Sequence, residues 1–275
     1  MIQNIQFCKM QALGNDFVVI DGIKQDIDVN TTMIPQIADR HFGIGFDQLL
    51  LIQKSQHADF ACRFFNADGS EAEQCGNGIR CVARFINEEG LSEETSLKIE
   101  TKAGIVALKI HDFENIEAMM GIPIFDPKKI PFSAEKIQKS YDISIDHPLS
   151  PLSIAVLSLG NPHAILSVDS IDDNLPIAEL SKKIAAYFPQ GANVGFMQVI
   201  NPKRIRLRTF ERGVGETLSC GSNACAAVVA GILNNGLDNI VTVELSHGNL
   251  SIEWQGENKP VLMSGPAMRV FSGIY

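Results

Sequence analysis

Arg63-Phe64-Phe65-Asn66, followed by Cys75-Gly76-Asn77-Gly78, returns later in the chain as Arg208-Thr209-Phe210-Glu211, followed by Cys220-Gly221-Ser222-Asn223. The second copy lies 145 residues beyond the first. Leu13-Gly14-Asn15 likewise returns as Leu159-Gly160-Asn161, 146 residues on, and an apolar run closing on aspartate trails each, to Asp21 and to Asp169. One repeated tripeptide means little. Two repeats in the same order at nearly the same spacing mark an internal duplication, and the chain reads as two homologous halves.

Each half carries several strand-like runs, at 59–66, 97–101 and 105–110 in the first and at 153–159, 204–210 and 240–245 in the second. Each also carries one long helix candidate directly after its Cys-Gly. In the first, Ile79, Val82, Ala83 and Ile86 share a face and Gly90 is the stop. In the second, 224–235 is apolar nearly all round and halts at Gly236, which predicts a helix buried inside its own sheet. The expected fold is α+β: two pseudo-symmetric halves, each a curved, mostly antiparallel sheet wrapped around a buried helix. Proline and glycine at 121–127 put the boundary there, giving halves of 1–121 and 122–263.

Composition narrows the function. At 275 residues the chain is long enough for one large domain or two ordinary ones. A net charge of −9 and no run of three Lys or Arg argue against nucleic acid as a partner. The longest apolar stretch, 224–233, is about half of what a membrane span requires. The first ten residues lack a secretory pattern, so a cytoplasmic location is expected, with the 6 cysteines as thiols. Cys8, Cys62, Cys81 and Cys225 read as core residues. The spacings of Cys75 to Cys81 and Cys220 to Cys225 do not suit a zinc site, so no metal is expected.

Cys75 and Cys220 are different, because each sits among small residues and good caps at a predicted helix start. The unpaired N–H groups there form an anion site, and their field favours thiolate over thiol. Two equivalent halves would aim both sulfurs at one substrate from opposite sides. Inversion of a stereocentre needs that arrangement: one thiolate removes an α-proton, and the other thiol delivers one to the opposite face. The amides would stabilise charge building on the carboxylate. No lysine motif of the pyridoxal type accompanies the pair, so the expected chemistry is cofactor-free epimerisation of an amino acid.

Lys9 to Phe17, Phe65 to Gly78 and Glu211 to Gly221 closely resemble the diaminopimelate epimerase family, and the resemblance runs over essentially the whole chain. It implies interconversion of LL- and meso-diaminopimelate in lysine biosynthesis, with Cys75 and Cys220 as the acid/base thiols. It further implies that Gly76, Asn77, Gly221 and Ser222 hold the reacting carboxylate. Asn15, Gln48, Asn66, Asn161, Asn193, Glu211 and Arg212 match positions that hold the rest of the substrate, and His163 and Glu211 match positions that support catalysis. A substrate with a distal ammonium and carboxylate calls for such a set of acceptors and one guanidinium. Asp47, His41, Glu71 and Glu73 flank these motifs and read as structural or capping. The tail 264–275 resembles the family's C-terminal strand, which completes the first half and supports a homodimer.

The chain departs from the family at Asn223, where glycine is common, at Ile79, where alanine is common, and at Phe271, where tyrosine supports the dimer. A proline or hydroxyproline racemase would use a similar duplicated fold with paired thiols, but its substrate has no distal charge to match Arg212. A thiol redox protein is a further alternative. It would need cysteines able to pair or chelate at rest.

Overall fold

The computed structural model describes residues 4–27, 32–172 and 174–275. The chain divides into two compact units, Met1–Met119 with Ser264–Tyr275, and Met120–Met263. The first contains β1 (Gln6–Ala12), β2 (Asn15–Asp21), α1 (Ile34–Ala38), β3 (Gln48–Gln53), β4 (Phe60–Asn66), β5 (Glu71–Ala72), α2 (Gly76–Glu88), β6 (Ser96–Thr101), β7 (Gly104–Asp112) and β8 (Asn115–Met119). The second contains β9 (Tyr141–Ile143), β10 (Leu152–Ser158), β11 (Pro162–Ser167), α3 (Ile177–Ala185), β12 (Asn193–Asn201), β13 (Arg204–Glu211), β14 (Gly215–Thr217), α4 (Gly221–Asn234), β15 (Ile240–Leu245) and β16 (Gly248–Trp254), and the division at Ser264 falls within β17 (Val261–Gly265). The last strand, β18 (Met268–Ile274), belongs to the first unit.

Strand pairing follows the same plan in both units. β1–β2 and β3–β4 are antiparallel, β2–β3 and β4–β6 parallel, and β6–β7 antiparallel. β10–β11, β12–β13, β11–β12, β13–β15 and β15–β16 reproduce that order. The repeat extends to single ion pairs: Arg63 reaches Glu71 at 2.8 Å and Arg208 reaches Glu216 at 2.7 Å. Glu71 is thus structural. Further antiparallel pairs are made by β18 on β1 and β8 on β7 in the first unit and by β9 on β10 in the second. The sheets are mixed because β2–β3 and its counterpart β11–β12 are parallel. A strand buried on both faces loses alternation, and Leu49, Leu50, Leu51 and Ile52 accordingly form an unbroken apolar run. β7 alternates instead, burying Val106, Leu108 and Ile110 while their neighbours stay more open.

Each central helix packs against strands from right across its own sheet, α2 on β1, β2, β3, β7, β8 and β18, and α4 on β10, β11, β12, β13, β15 and β16. α2 buries Ile79, Val82, Ala83 and Ile86, the face read from the sequence. α4 starts at Gly221, a turn earlier than its apolar run, because Cys220 takes an extended backbone and Gly221, Ser222 and Asn223 form the first turn. Those three are weak helix formers, but the first turn requires no intrahelical N–H bonds. α3 gives no start signal, since Pro176 precedes it without a side-chain cap. No helix among the described residues is long and apolar enough to cross a membrane.

Candidate active site

In the first unit Cys75 is the N-cap of α2, and its Sγ accepts a hydrogen bond from the Gly78 amide at 3.4 Å. The Oδ1 of Asn15 lies 3.7 Å from that sulfur and accepts from Asn77 Nδ2 at 3.4 Å. Asn15 is held in turn by Asp47, whose carboxylate accepts from Asn15 Nδ2 at 2.7 Å. Gln48 and Asn66 face each other across β3 and β4, Gln48 Nε2 donating to Asn66 Oδ1 at 2.8 Å. The fully buried Arg80 donates to the Gly76 carbonyl at 3.2 Å and to Asn77 Oδ1 at 3.0 Å, fixing both candidate anion-binding residues from below. Asp47 therefore does more than cap a turn. Neither its role nor that of Arg80 is readable from sequence spacing, because both depend on which strands become neighbours.

Asp47 is anchored by Arg40, which also binds Asp16 at 2.8 Å. Burial alone would raise the Asp16 pKa, but hydrogen bonds from Arg40 and Lys9 outweigh it and hold the carboxyl at about 2. Asp16 therefore stays charged at neutral pH. His41 is exposed, with its amide bonded to Asp39. Glu73 is exposed, and its carbonyl accepts from the Ala103 amide at 3.3 Å.

In the second unit Cys220 caps α4, with its Sγ 3.5 Å from Ser222 Oγ. Burial, and then the Glu211 carboxylate, push this thiol well above its ordinary pKa, against the opposing pull of Ser222 and the Asn223 amide. The helix-start field does not leave Cys220 a thiolate, contrary to the sequence expectation. Desolvation and a neighbouring anion outweigh a dipole that acts only over the first turn. Thr217 donates its hydroxyl to Glu211 and fixes that carboxylate.

His163 is completely buried, with Nε2 2.9 Å from Asn161 Oδ1. Burial lowers its pKa to about 3, so the ring is neutral. On β12, Asn193 sits beside His163 and accepts the Arg212 amide N–H at 2.9 Å. Arg212 is exposed, donates to the Gln190 carbonyl at 3.2 Å and forms no ion pair with a described residue. Cys8, Cys62, Cys81 and Cys225 are buried, and burial raises the pKa of the first three. Phe271 stands apart from these groups on β18, half exposed and edge-on to Phe7 at 6.0 Å.

The sequence candidates thus fall on equivalent positions of the two units. Asn15, Gln48, Asn66, Cys75, Gly76 and Asn77 occupy the first, and Asn161, Asn193, Glu211, Cys220, Gly221 and Ser222 the second, at offsets of 145 or 146. His163 and Arg212 stand in the second unit where Phe17 and Ala67 stand in the first.

A duplicated α+β fold with a thiol at each central helix start defines the class. A hydroxyproline epimerase structure from Agrobacterium vitis shares the fold with a TM-score of 0.73 at 14% identity, over 99% of this chain and 92% of that one. The profile of the diaminopimelate epimerase family matches residues 7–125 and 155–270. Diaminopimelate epimerases of Coxiella burnetii and Nitrosospira multiformis are 48% and 46% identical, each over 98% of this chain and over 98% and 97% of the relative. The chain belongs to the diaminopimelate epimerase family and is an isomerase by kind.

Proposed function

We propose that this protein interconverts LL- and meso-diaminopimelate without a cofactor, using Cys75 and Cys220 as paired acid and base, on the route to lysine. The observation that carries this reading is the duplicated helix start: each central helix begins at a cysteine with small residues and polar amides around it. In the forward step a thiolate takes the α-proton, so a C–H bond breaks and an S–H bond forms. The electron pair left behind spreads into the carboxylate as an enediolate, stabilised by the amides of Gly76 and Asn77 or of Gly221 and Ser222. The other thiol then gives its proton to the opposite face. The two sulfurs end with their protonation exchanged, and nothing is oxidised or reduced. The high pKa of Cys220 suits a proton donor.

Asn15, Gln48, Asn66, Asn161, Asn193 and Glu211 supply acceptors and donors for the ammonium and carboxylate groups, and Arg212 supplies the guanidinium for the distal carboxylate. That distal charge is what a proline or hydroxyproline racemase has no use for, and the near-full-length identity to diaminopimelate epimerases also disfavours that alternative. The exposed Met268, Val270, Phe271 and Ile274 of β18 support a homodimer formed there. The acidic balance supports a cytoplasmic protein with no nucleic-acid partner. The decisive experiment is incubation with LL-diaminopimelate in deuterated water. Conversion to the meso isomer with solvent deuterium at one α-carbon is expected. Absence of both product and exchange would overturn the reading.

A further inference from the structure

Asp47 is exposed and stands just before β3, yet the first unit holds its carboxylate from three sides. It accepts from Asn15 Nδ2 at 2.7 Å, from the Asp16 amide at 3.2 Å and from Arg40 at 2.8 Å. The parallel register of β2 and β3, with Phe17 opposite Gln48, brings these groups together. A carboxylate can only accept, so the Asn15 atom that meets Asp47 is the nitrogen. The carbonyl oxygen of the same amide therefore faces the other way, 3.7 Å from Cys75 Sγ.

The far end of this row of amides agrees. Arg80 can only donate, so the Asn77 atom that it meets at 3.0 Å is the oxygen, and Asn77 turns its Nδ2 toward Asn15 Oδ1 at 3.4 Å. A cation at one end and an anion at the other impose one direction on both side chains: Arg80 donates to Asn77, Asn77 to Asn15, and Asn15 to Asp47. Reversing Asn15 would set its NH2 group against that of Asn77 and its carbonyl against a carboxylate. The second unit has Ala192 at the position of Asp47, and there Asn161 Oδ1 lies 2.9 Å from His163 Nε2 instead.

The sulfur of Cys75 is thereby served in both protonation states. As a thiolate it accepts from the Gly78 amide at 3.4 Å, and as a thiol it donates to Asn15 Oδ1. Donation from Asn15 Nδ2 to a carboxylate also polarises the amide and strengthens its oxygen as an acceptor. Cys62 and Cys81 share the surroundings of this sulfur, but burial raises the pKa of both and keeps them neutral.

We propose that Asp47 is a positioning residue: by holding Asn15 Nδ2 it aims the Asn15 carbonyl at Cys75, so that the S–H group formed when Cys75 takes the α-proton donates to Asn15 and turns away from the enediolate. The proton stays on sulfur in this step, and nothing is oxidised or reduced. The catalytic consequence rests on Cys75 as an acid/base group, as proposed above, whereas the hydrogen bond does not.

The test is infrared spectroscopy of the S–H stretch at pH 5 without substrate, with the Cys75 band assigned by its loss in Cys75→Ala, alongside steady-state kinetics with LL-diaminopimelate. In the wild type the Cys75 band is expected below that of a free thiol, because donation to a carbonyl weakens the S–H bond. Asp47→Ala should move the band toward the free-thiol position and lower kcat about tenfold, the effect of one misdirected hydrogen bond. In an Asn15→Ala background the same substitution should change kcat by less than about twofold, because the residue through which it acts is gone. A wild-type band at the free-thiol position, or no Cys75 band at all, overturns the proposal and requires no Asp47 variant to fold. So does an unchanged band in a folded Asp47→Ala protein, or an equal loss of kcat with and without Asn15. A wild-type protein inactive on diaminopimelate would overturn the substrate assignment instead, leaving the S–H band to decide the role of Asp47.

Discussion

Burial of His163 makes folding acid-sensitive by an amount that can be worked out. The ring has no exposed surface, and its pKa falls from the ordinary 6.5 to about 3 through desolvation chiefly, with the Arg212 cation adding to it and Asn223 opposing. The unfolded chain takes up a proton near pH 6.5 that the folded chain refuses, so the unfolded state binds more protons and stability rises with pH through this interval. The contribution is complete above pH 6.5 and is lost as the pH falls toward 3. Each unit of pH in that window is worth about 1.4 kcal/mol, so His163 removes about 2 kcal/mol between pH 6.5 and 5 and about 4–5 kcal/mol by pH 3. Other groups titrate over the same range, which is why the comparison is with His163→Gln, whose side chain has no proton to gain. Urea unfolding of both proteins at pH 7, 6, 5 and 4 gives the difference directly. The wild type should lose its advantage, or deepen its deficit, by about 1.4 kcal/mol per unit below pH 6.5. Parallel stability curves for the two proteins would show that His163 is hydrated or charged in the folded state, and the reasoning would fail.

Cys75→Ala and Cys220→Ala should each lower epimerase turnover by at least about a hundredfold while circular dichroism stays that of the wild type, since inversion requires both groups and each substitution removes a single sulfur from a helix N-cap. Turnover near the wild-type rate in either variant would remove the two-thiol mechanism. Arg212→Ala should raise KM for diaminopimelate about tenfold to a hundredfold and shift unfolding free energy by less than about 0.5 kcal/mol, because the residue is exposed and gives only a hydrogen bond to a carbonyl. An unchanged KM would place distal-carboxylate recognition elsewhere. Arg80→Met should cost about 3–5 kcal/mol in urea unfolding, because it strips the donor from Asn77 Oδ1 and from the carbonyls of Gly76 and Pro266 at a fully buried position. A loss under about 1 kcal/mol would mean that these acceptors find other partners.

The duplication carried most of the fold into view. Once Cys75 and Cys220 are aligned, the strand at 59–66 and the strand at 204–210 become equivalent, and a helix after each Cys-Gly follows. Less legible was where α4 begins, because Gly221, Ser222 and Asn223 are weak helix formers that read as caps ahead of the apolar run rather than as its first turn. α3 was hidden for a similar reason, with proline and no cap before it. Within the site, the two cysteines announced themselves through their flanking caps, but the electrostatics of Cys220 did not. Its high pKa comes first from burial and then from Glu211, nine residues earlier and brought close only by the β13–β14 hairpin. Arg80 was equally invisible. A charged residue in a helix reads as a solvated face until the structure shows its guanidinium holding two carbonyls and an amide.

The differences between the units matter more than their likeness. Inversion by two thiols requires equivalence only at the sulfurs and at the amides that bind the reacting carboxylate, and there the repeat is kept: Cys-Gly opens both helices. Away from that point the second unit has gained charge and polarity, with Glu211 where the first has Asn66, Arg212 where it has Ala67, and His163 where it has Phe17. A substrate with one reacting centre and one charged remote end presents the same demand, since its α-carbon looks alike to both sulfurs while its far end has to be received by one side. The first unit has spent its own charge differently: Arg80, at the position of Cys225, is buried beneath the helix start, where it fixes backbone and amide rather than substrate. On the proposed two-thiol reading, the duplicated fold would supply the symmetric chemistry, and a handful of unequal substitutions would supply the preference for one orientation of the substrate.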